Sequence, residues 1–146
     1  MDLRRNQLAH ATFSVLLCVA LTLAGCGQSG PQVAKVEGIV TLDGKPLEGA
    51  YVYFRHADGG RASRAQTDSA GHYTLNFSPS ASGAIVGDNV VRITTFVETQ
   101  MDDNGKPIPG TGRPEVVPAK YHESGALTAT VAPRGNSIDF PLESGK

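Results

Sequence analysis

The side chains that could act in concert are few: two cysteines, Cys18 and Cys26, four histidines, His10, His56, His72 and His122, and one acidic run, Asp102-Asp103-Asn104-Gly105. A zinc site needs His or Cys ligands at i, i+4 or in closely spaced pairs, and these residues have no such spacing. His56, His72 and His122 therefore read as surface imidazoles at a strand end, on an outer strand face and in a long loop. Asp102 to Gly105 lacks the alternating ligands and closing bidentate Glu of a calcium loop, and reads as a solvated turn. Neither a Ser-His-Asp order nor a Gly-x-Ser-x-Gly elbow occurs, so no catalytic residue, metal or cofactor is expected, and the chain is expected not to be an enzyme. Two features remain. The Cys26 thiol follows small residues and could act as an acylation nucleophile. Tyr51 and Tyr53, two positions apart, would direct both rings outward from one strand, where they could stack on a sugar ring or on a partner's side chain. Cross-strand packing would place them there equally well.

The surroundings of Cys26 give its chemistry a context. Arg4 and Arg5 precede an apolar stretch, Ala11 to Ala24, that falls short of the roughly 20 residues needed to cross a hydrocarbon layer. A charged start, a short apolar centre and a close of small residues describe a signal peptide, residues 1–25. The close itself, Leu23-Ala24-Gly25-Cys26, resembles a lipobox, whose Cys is diacylated on sulfur and freed by a dedicated peptidase. A single acyl chain holds a protein only marginally, at about 0.8 kcal/mol per buried CH₂, whereas two or three hold it durably. Export followed by lipid anchoring at Cys26 is the expectation. Gly27, in place of an Asp that would favour inner-membrane retention, favours the outer membrane of the cell envelope. Arg4-Arg5 is also similar to a twin-arginine signal, but Asn6-Gln7-Leu8 departs from it, and general secretion fits better.

Beyond Cys26, residues 26–34 are small and polar, as in a flexible spacer, and residues 35–146 are expected to form the domain. Apolar residues there alternate, with turn residues at regular intervals. Strands are expected at Val36 to Leu42, Ala50 to Arg55, Ala62 to Gln66, His72 to Phe77, Asn89 to Val97, Leu127 to Val131 and Ser137 to Leu142. Ala50, Val52, Phe54, Tyr73, Leu75, Phe77, Val91 and Ile93 would face inward. Pro79 to Gly87 and Glu98 to Ser124 read as loops, and no helix is expected after the leader. Seven strands with 17 Gly and 9 Pro argue for an all-β, single seven-stranded antiparallel β-sandwich. Pro141 must then sit at an edge or strand end. Asn104-Gly105-Lys106-Pro107 echoes Asp43-Gly44-Lys45-Pro46, which is reused turn chemistry rather than a repeat.

Gly38 to Ala50 running into Val52 and Phe54, then Thr67-Asp68 with Gly71 and Tyr73, Pro118-Ala119-Lys120-Tyr121, the Leu127 to Val131 strand and Asn136 before Asp139-Phe140 together resemble the carboxypeptidase regulatory-like, or transthyretin-like, domain found on many short bacterial lipoproteins. The resemblance implies a prealbumin-like sandwich and no catalysis. One departure stands out: Asn89 occupies the place of an aromatic ring, so it must lie at the rim or be hydrogen-bonded. A purine-degradation hydrolase shares the fold, but its Tyr-Arg-Gly-Ser tail is replaced here by Leu142-Glu143-Ser144-Gly145-Lys146.

The formal net charge is −1, and removing Arg4, Arg5 and Asp2 leaves −2, a balance that does not suggest nucleic acid as a partner. The expected function is an envelope-anchored, non-catalytic interaction or structural module. The alternative is a carbohydrate- or peptide-binding module using Tyr51, Tyr53 and the 98–124 loop. The expected partners are the membrane through Cys26 and an envelope protein or glycan.

Overall fold

A computed structural model describes residues 30–123, 125 and 127–145. The leader, the lipobox residues Leu23, Ala24 and Gly25, and Cys26 lie outside the described residues. The described residues are all-β, with thirteen short strands and one helical turn.

Strand β2 (Val36–Leu42) is the hub of a five-stranded sheet. One edge pairs antiparallel with β3 (Lys45–Pro46) and β6 (His72–Thr74); the other pairs with β12 (Asn136–Ser137) and β13 (Phe140–Leu142). The link from β2 to β3 is a tight turn in which Asp43 and Gly44 both take positive φ, 51° and 78°. Such a turn matches the twist of a hairpin and favours Gly at its second position.

A six-stranded sheet forms the second layer. Its order is β11 (Leu127–Val131), β10 (Gly87–Thr94), β4 (Tyr51–His56), β5 (Ser63–Gln66), β7 (Asn76–Ser78) and β8 (Ala81–Ser82). Its neighbours run antiparallel throughout. A two-stranded ribbon joins β1 (Val33–Ala34) to β9 (Ala84–Ile85). Alternation within β4 and β10 buries Val52, Phe54, Val91 and Ile93, which share one core with Val36, Val40, Tyr73, Phe140 and Leu142 of the five-stranded sheet. The ring of Phe140 meets Phe54 edge-on at 6.0 Å and Tyr73 at 6.3 Å. Aromatic pairs of this kind add about 0.5–1.5 kcal/mol beyond their area. The inward alternation expected of Ala50, Val52, Phe54, Tyr73, Leu75, Val91 and Ile93 is present, whereas Phe77, expected inward with them, is only half-buried.

Several expectations need correction. The final strands run parallel to β2, so the sheets are not purely antiparallel. The expected strand from His72 to Phe77 bends at Leu75: β6 pairs with β2, whereas β7 pairs with β5. Leu75 is fully buried where the chain passes between sheets, and its backbone N–H donates to the Val36 carbonyl at 3.0 Å. The last strand is interrupted at Asp139, whose carboxylate accepts from the Ile39 N–H at 2.9 Å in place of a ladder bond. Pro79 to Gly87 holds β8 and β9 rather than pure loop, and Val33–Ala34 of the expected spacer already forms β1, with Ala34 buried. A short helix, α1 (Ala119–His122), occupies the long segment expected to lack one. Pro141 lies on the outer strand β13, where its missing N–H breaks no pairing.

Gly38 sits on β2 where the last crossing comes closest. A Cβ there would lie 1.9 Å from the Ile138 carbonyl oxygen, the same oxygen that accepts the Tyr73 hydroxyl at 2.6 Å. Gly38→Ala is expected to cost about 2 kcal/mol or more by forcing backbone from backbone, read as a lowered thermal midpoint. An unchanged midpoint would show that the close approach is not needed.

Candidate functional site

Partners opposite one another in a sheet share a face, and the register of the six-stranded sheet fixes which side chains face away from the core. Arg92, Tyr53 and Arg64 form one row across β10, β4 and β5; Val90 and Arg55 form the next, and Tyr51 with Gln66 the row on the other side. Tyr51 and Tyr53 are stacked, with ring centroids 6.4 Å apart and planes 29° from parallel. The Arg92 guanidinium lies 5.8 Å from the centre of the Tyr53 ring, within cation–π range. Both tyrosines are half-buried by neighbours on the face rather than fully exposed.

Two open grooves flank the pair. One, about 440 Å³, is lined by Tyr53, Arg55, Ala62, Arg64, Val90 and Arg92. The other, about 850 Å³, runs past Tyr51, Arg61, Arg64, Gln66 and Asn76. No described residue of the 98–124 segment lines either groove, so the structure does not bring it into the tyrosine grooves as expected. That segment is instead an ordered arm. Val97 and Met101 bridge to Arg113 and Pro107, and Asp102 closes the tip by accepting from the Asn104 and Lys106 N–H groups at 2.9 and 2.8 Å. Gly105 takes φ 73° as Gly44 takes 78°, but Asn104 lacks the positive φ of Asp43 and the Gly105 N–H donates to the Asp102 carbonyl at 2.9 Å, so the two echoing sequences share the glycine and form different turns.

The arm is fastened by Glu115, which sequence inspection did not single out. Its carboxylate accepts from the Thr94 hydroxyl, and from Thr95 N, Thr95 Oγ1 and Val117 N at 2.9, 2.8 and 2.9 Å. Burial pushes this carboxyl up, but the hydrogen bonds outweigh it and hold the group at about 2, below its ordinary 4.5. Tyr121 ties the far end: its hydroxyl accepts from Glu143 N at 3.2 Å, and Lys120 Nζ lies 4.7 Å from its ring centre.

The remaining candidates stand apart. His56 lies beside Asp58, with 3.6 Å between its Nδ1 and the carboxylate; His72 is exposed on β6, and His122 closes α1. Among the described residues no three His, Cys, Asp or Glu side chains gather as a metal site. Asn89 is buried at 1 % exposure and donates through Nδ2 to the Ile85 and Gly87 carbonyls, both at 2.9 Å. Of the rim and the hydrogen-bonded alternatives, the second holds. Arg64 and Arg92 were not legible beside Tyr53, because the two-residue alternation gives each strand's outer face but not the register that aligns three strands.

No family model and no curated protein matches the chain. Among solved structures it is similar to a 9R-lipoxygenase from Cyanothece PCC8801, at 14% identity over 78% of this chain and 18% of that one, with a TM-score of 0.43. It is also similar to a DUF3823 family protein from Parabacteroides merdae ATCC 43184, at 15% identity over 78% and 46% and a TM-score of 0.40. A chlorocatechol 1,2-dioxygenase from Pseudomonas putida follows, at 15% over 80% and 62% with 0.35. The chain spans less than two thirds of each, and likeness at this level transfers no activity.

The Glu115 latch gives a signed pH dependence. Its folded pKa lies below the unfolded value, so its contribution is complete above about 4.5 and is lost as pH falls toward about 2. Discounted for partial exposure, it is worth about 1–2 kcal/mol. Glu115→Gln is expected to lower the thermal midpoint at neutral pH and to leave it equal to the parent's near pH 2. A constant difference at all pH values would contradict this.

Proposed function

We propose that the chain is an exported protein, anchored to the outer membrane of the envelope through lipid on Cys26, whose sandwich is a non-catalytic, transthyretin-like binding module. Its ligand is a carbohydrate, taken on the outer face of the six-stranded sheet. The stacked Tyr51–Tyr53 pair beside open grooves carries this proposal. Sugar rings present flat C–H faces to aromatic planes, and rings with few rotatable bonds give contact area at low entropic cost. Gln66 and Asn76, lining one groove, add amide donors and acceptors for hydroxyls. Anchoring is supported by the charged start, short apolar stretch and Leu23-Ala24-Gly25-Cys26 close of the leader.

In glycan-array and calorimetric measurements, the Tyr51→Ala, Tyr53→Ala double variant is expected to lose at least about tenfold in affinity, or about 1.4 kcal/mol, while keeping the parent's circular dichroism. Binding unchanged by the double substitution would dispose of the tyrosine site. For the anchor, mass spectrometry of the native protein is expected to find an acylated Cys26 at the N-terminus, and Cys26→Ser to abolish labelling by a fatty-acid probe. A native protein that begins at Met1 and carries no lipid would refute the anchoring.

A further inference from the structure

The same face segregates charge. Arg55, Arg64 and Arg92 stand on adjoining rows around Tyr53, and Arg61 lines the neighbouring groove. Among the described residues Lys35 pairs with Glu37 and His56 lies beside Asp58, and no described carboxylate lies within 4.0 Å of any of the four guanidinium groups. Asp88 shares the outward alternation of β10, but its carboxylate accepts from Thr130 Oγ1 at 2.7 Å, on the side away from β4. In a chain whose formal charge is −1, four unneutralised cations on one face repel one another, and an anion among them relieves that repulsion. All four are Arg and none is Lys. The planar guanidinium fork matches the two oxygens of a carboxylate or sulfate, and it stacks on rings as Arg92 does on Tyr53.

We infer that the carbohydrate taken by this face is an acidic polysaccharide, a sugar chain bearing carboxylate or sulfate groups; the inference rests on the carbohydrate-binding proposal above. Tyr51 and Tyr53 stack on the sugar rings, while Arg55, Arg64 and Arg92 pair with the acid groups. An anionic lipid surface fits the face less well. Among the described residues the exposed large apolar side chains, Phe96, Met101, Ile108 and Val116, all lie between residues 96 and 116, so none of them is on the tyrosine face to enter a bilayer.

The test titrates the detergent-solubilised full-length protein with an oligogalacturonate, a neutral malto-oligosaccharide, glycerol phosphate as a headgroup probe and a single-stranded oligonucleotide. The oligogalacturonate is expected to bind at least about tenfold more tightly than the neutral sugar, and to weaken as salt screens the charges. The Arg64→Gln, Arg92→Gln double variant is expected to reduce it to the level of the neutral sugar. Arg64→Lys with Arg92→Lys, which keeps charge but loses the fork, should fall between, with all variants matching the parent's thermal midpoint. Equal binding of acidic and neutral sugars, lost together in the tyrosine variant, would overturn this inference and leave the carbohydrate proposal standing. Binding of neither sugar would overturn both, and preference for glycerol phosphate or the oligonucleotide would overturn the acidic-sugar assignment.

Discussion

Strand Val36–Leu42 is hydrogen-bonded along both edges while Val36 and Val40 are wholly withdrawn from water, and the other elements are arranged around that double demand. To meet it, the C-terminal strands return parallel to β2, which brings Phe140 against Phe54 across the layers. The crossing is close enough that position 38 must be Gly, and Asp139 and the Tyr73 hydroxyl supply hydrogen bonds where the ladder is interrupted. Burial of the Tyr73 ring pushes its phenol up, with the nearby Asp139 carboxylate acting in the same direction, so it remains a neutral donor.

Once the inner faces of β4 and β10 are committed to that core, period-two alternation leaves Tyr51, Tyr53, Arg55 and Arg92 on the outside. The outward set of aromatic and cationic side chains is thus a by-product of core formation plus register. The arm beyond Thr94 is fastened by Glu115 at the end of β10, where Thr94 lies opposite Tyr51. The latch therefore bounds the face without lining its grooves.

The inward residues of β2, β4, β6 and β10 could be read directly, because alternation is a local property of each strand. The glycines of the turns at Asp43-Gly44 and Asn104-Gly105 were equally legible, since positive φ selects Gly, but the difference between the two turns was not. Three kinds of feature were not. Parallel return of the last strands is a question of topology, and the sheet change at Leu75 is set by tertiary packing of a buried residue. The arginine row depends on pairing between strands distant in sequence, which no single segment encodes. Tyr51, Tyr53 and Arg55 could be placed outward from β4 alone, but Arg64 and Arg92 could not be set beside them.

The most direct measurement is a nuclear magnetic resonance titration with ¹⁵N-labelled protein, following backbone amides and Arg Nε–H signals as an acidic oligosaccharide is added. Shifts confined to Tyr51–Arg55, Arg61–Gln66 and Val90–Arg92, with the Arg64 and Arg92 side chains moving most, are what a charged aromatic face requires. Shifts centred on the five-stranded sheet or on the 97–113 arm, with those arginine signals still, would contradict it.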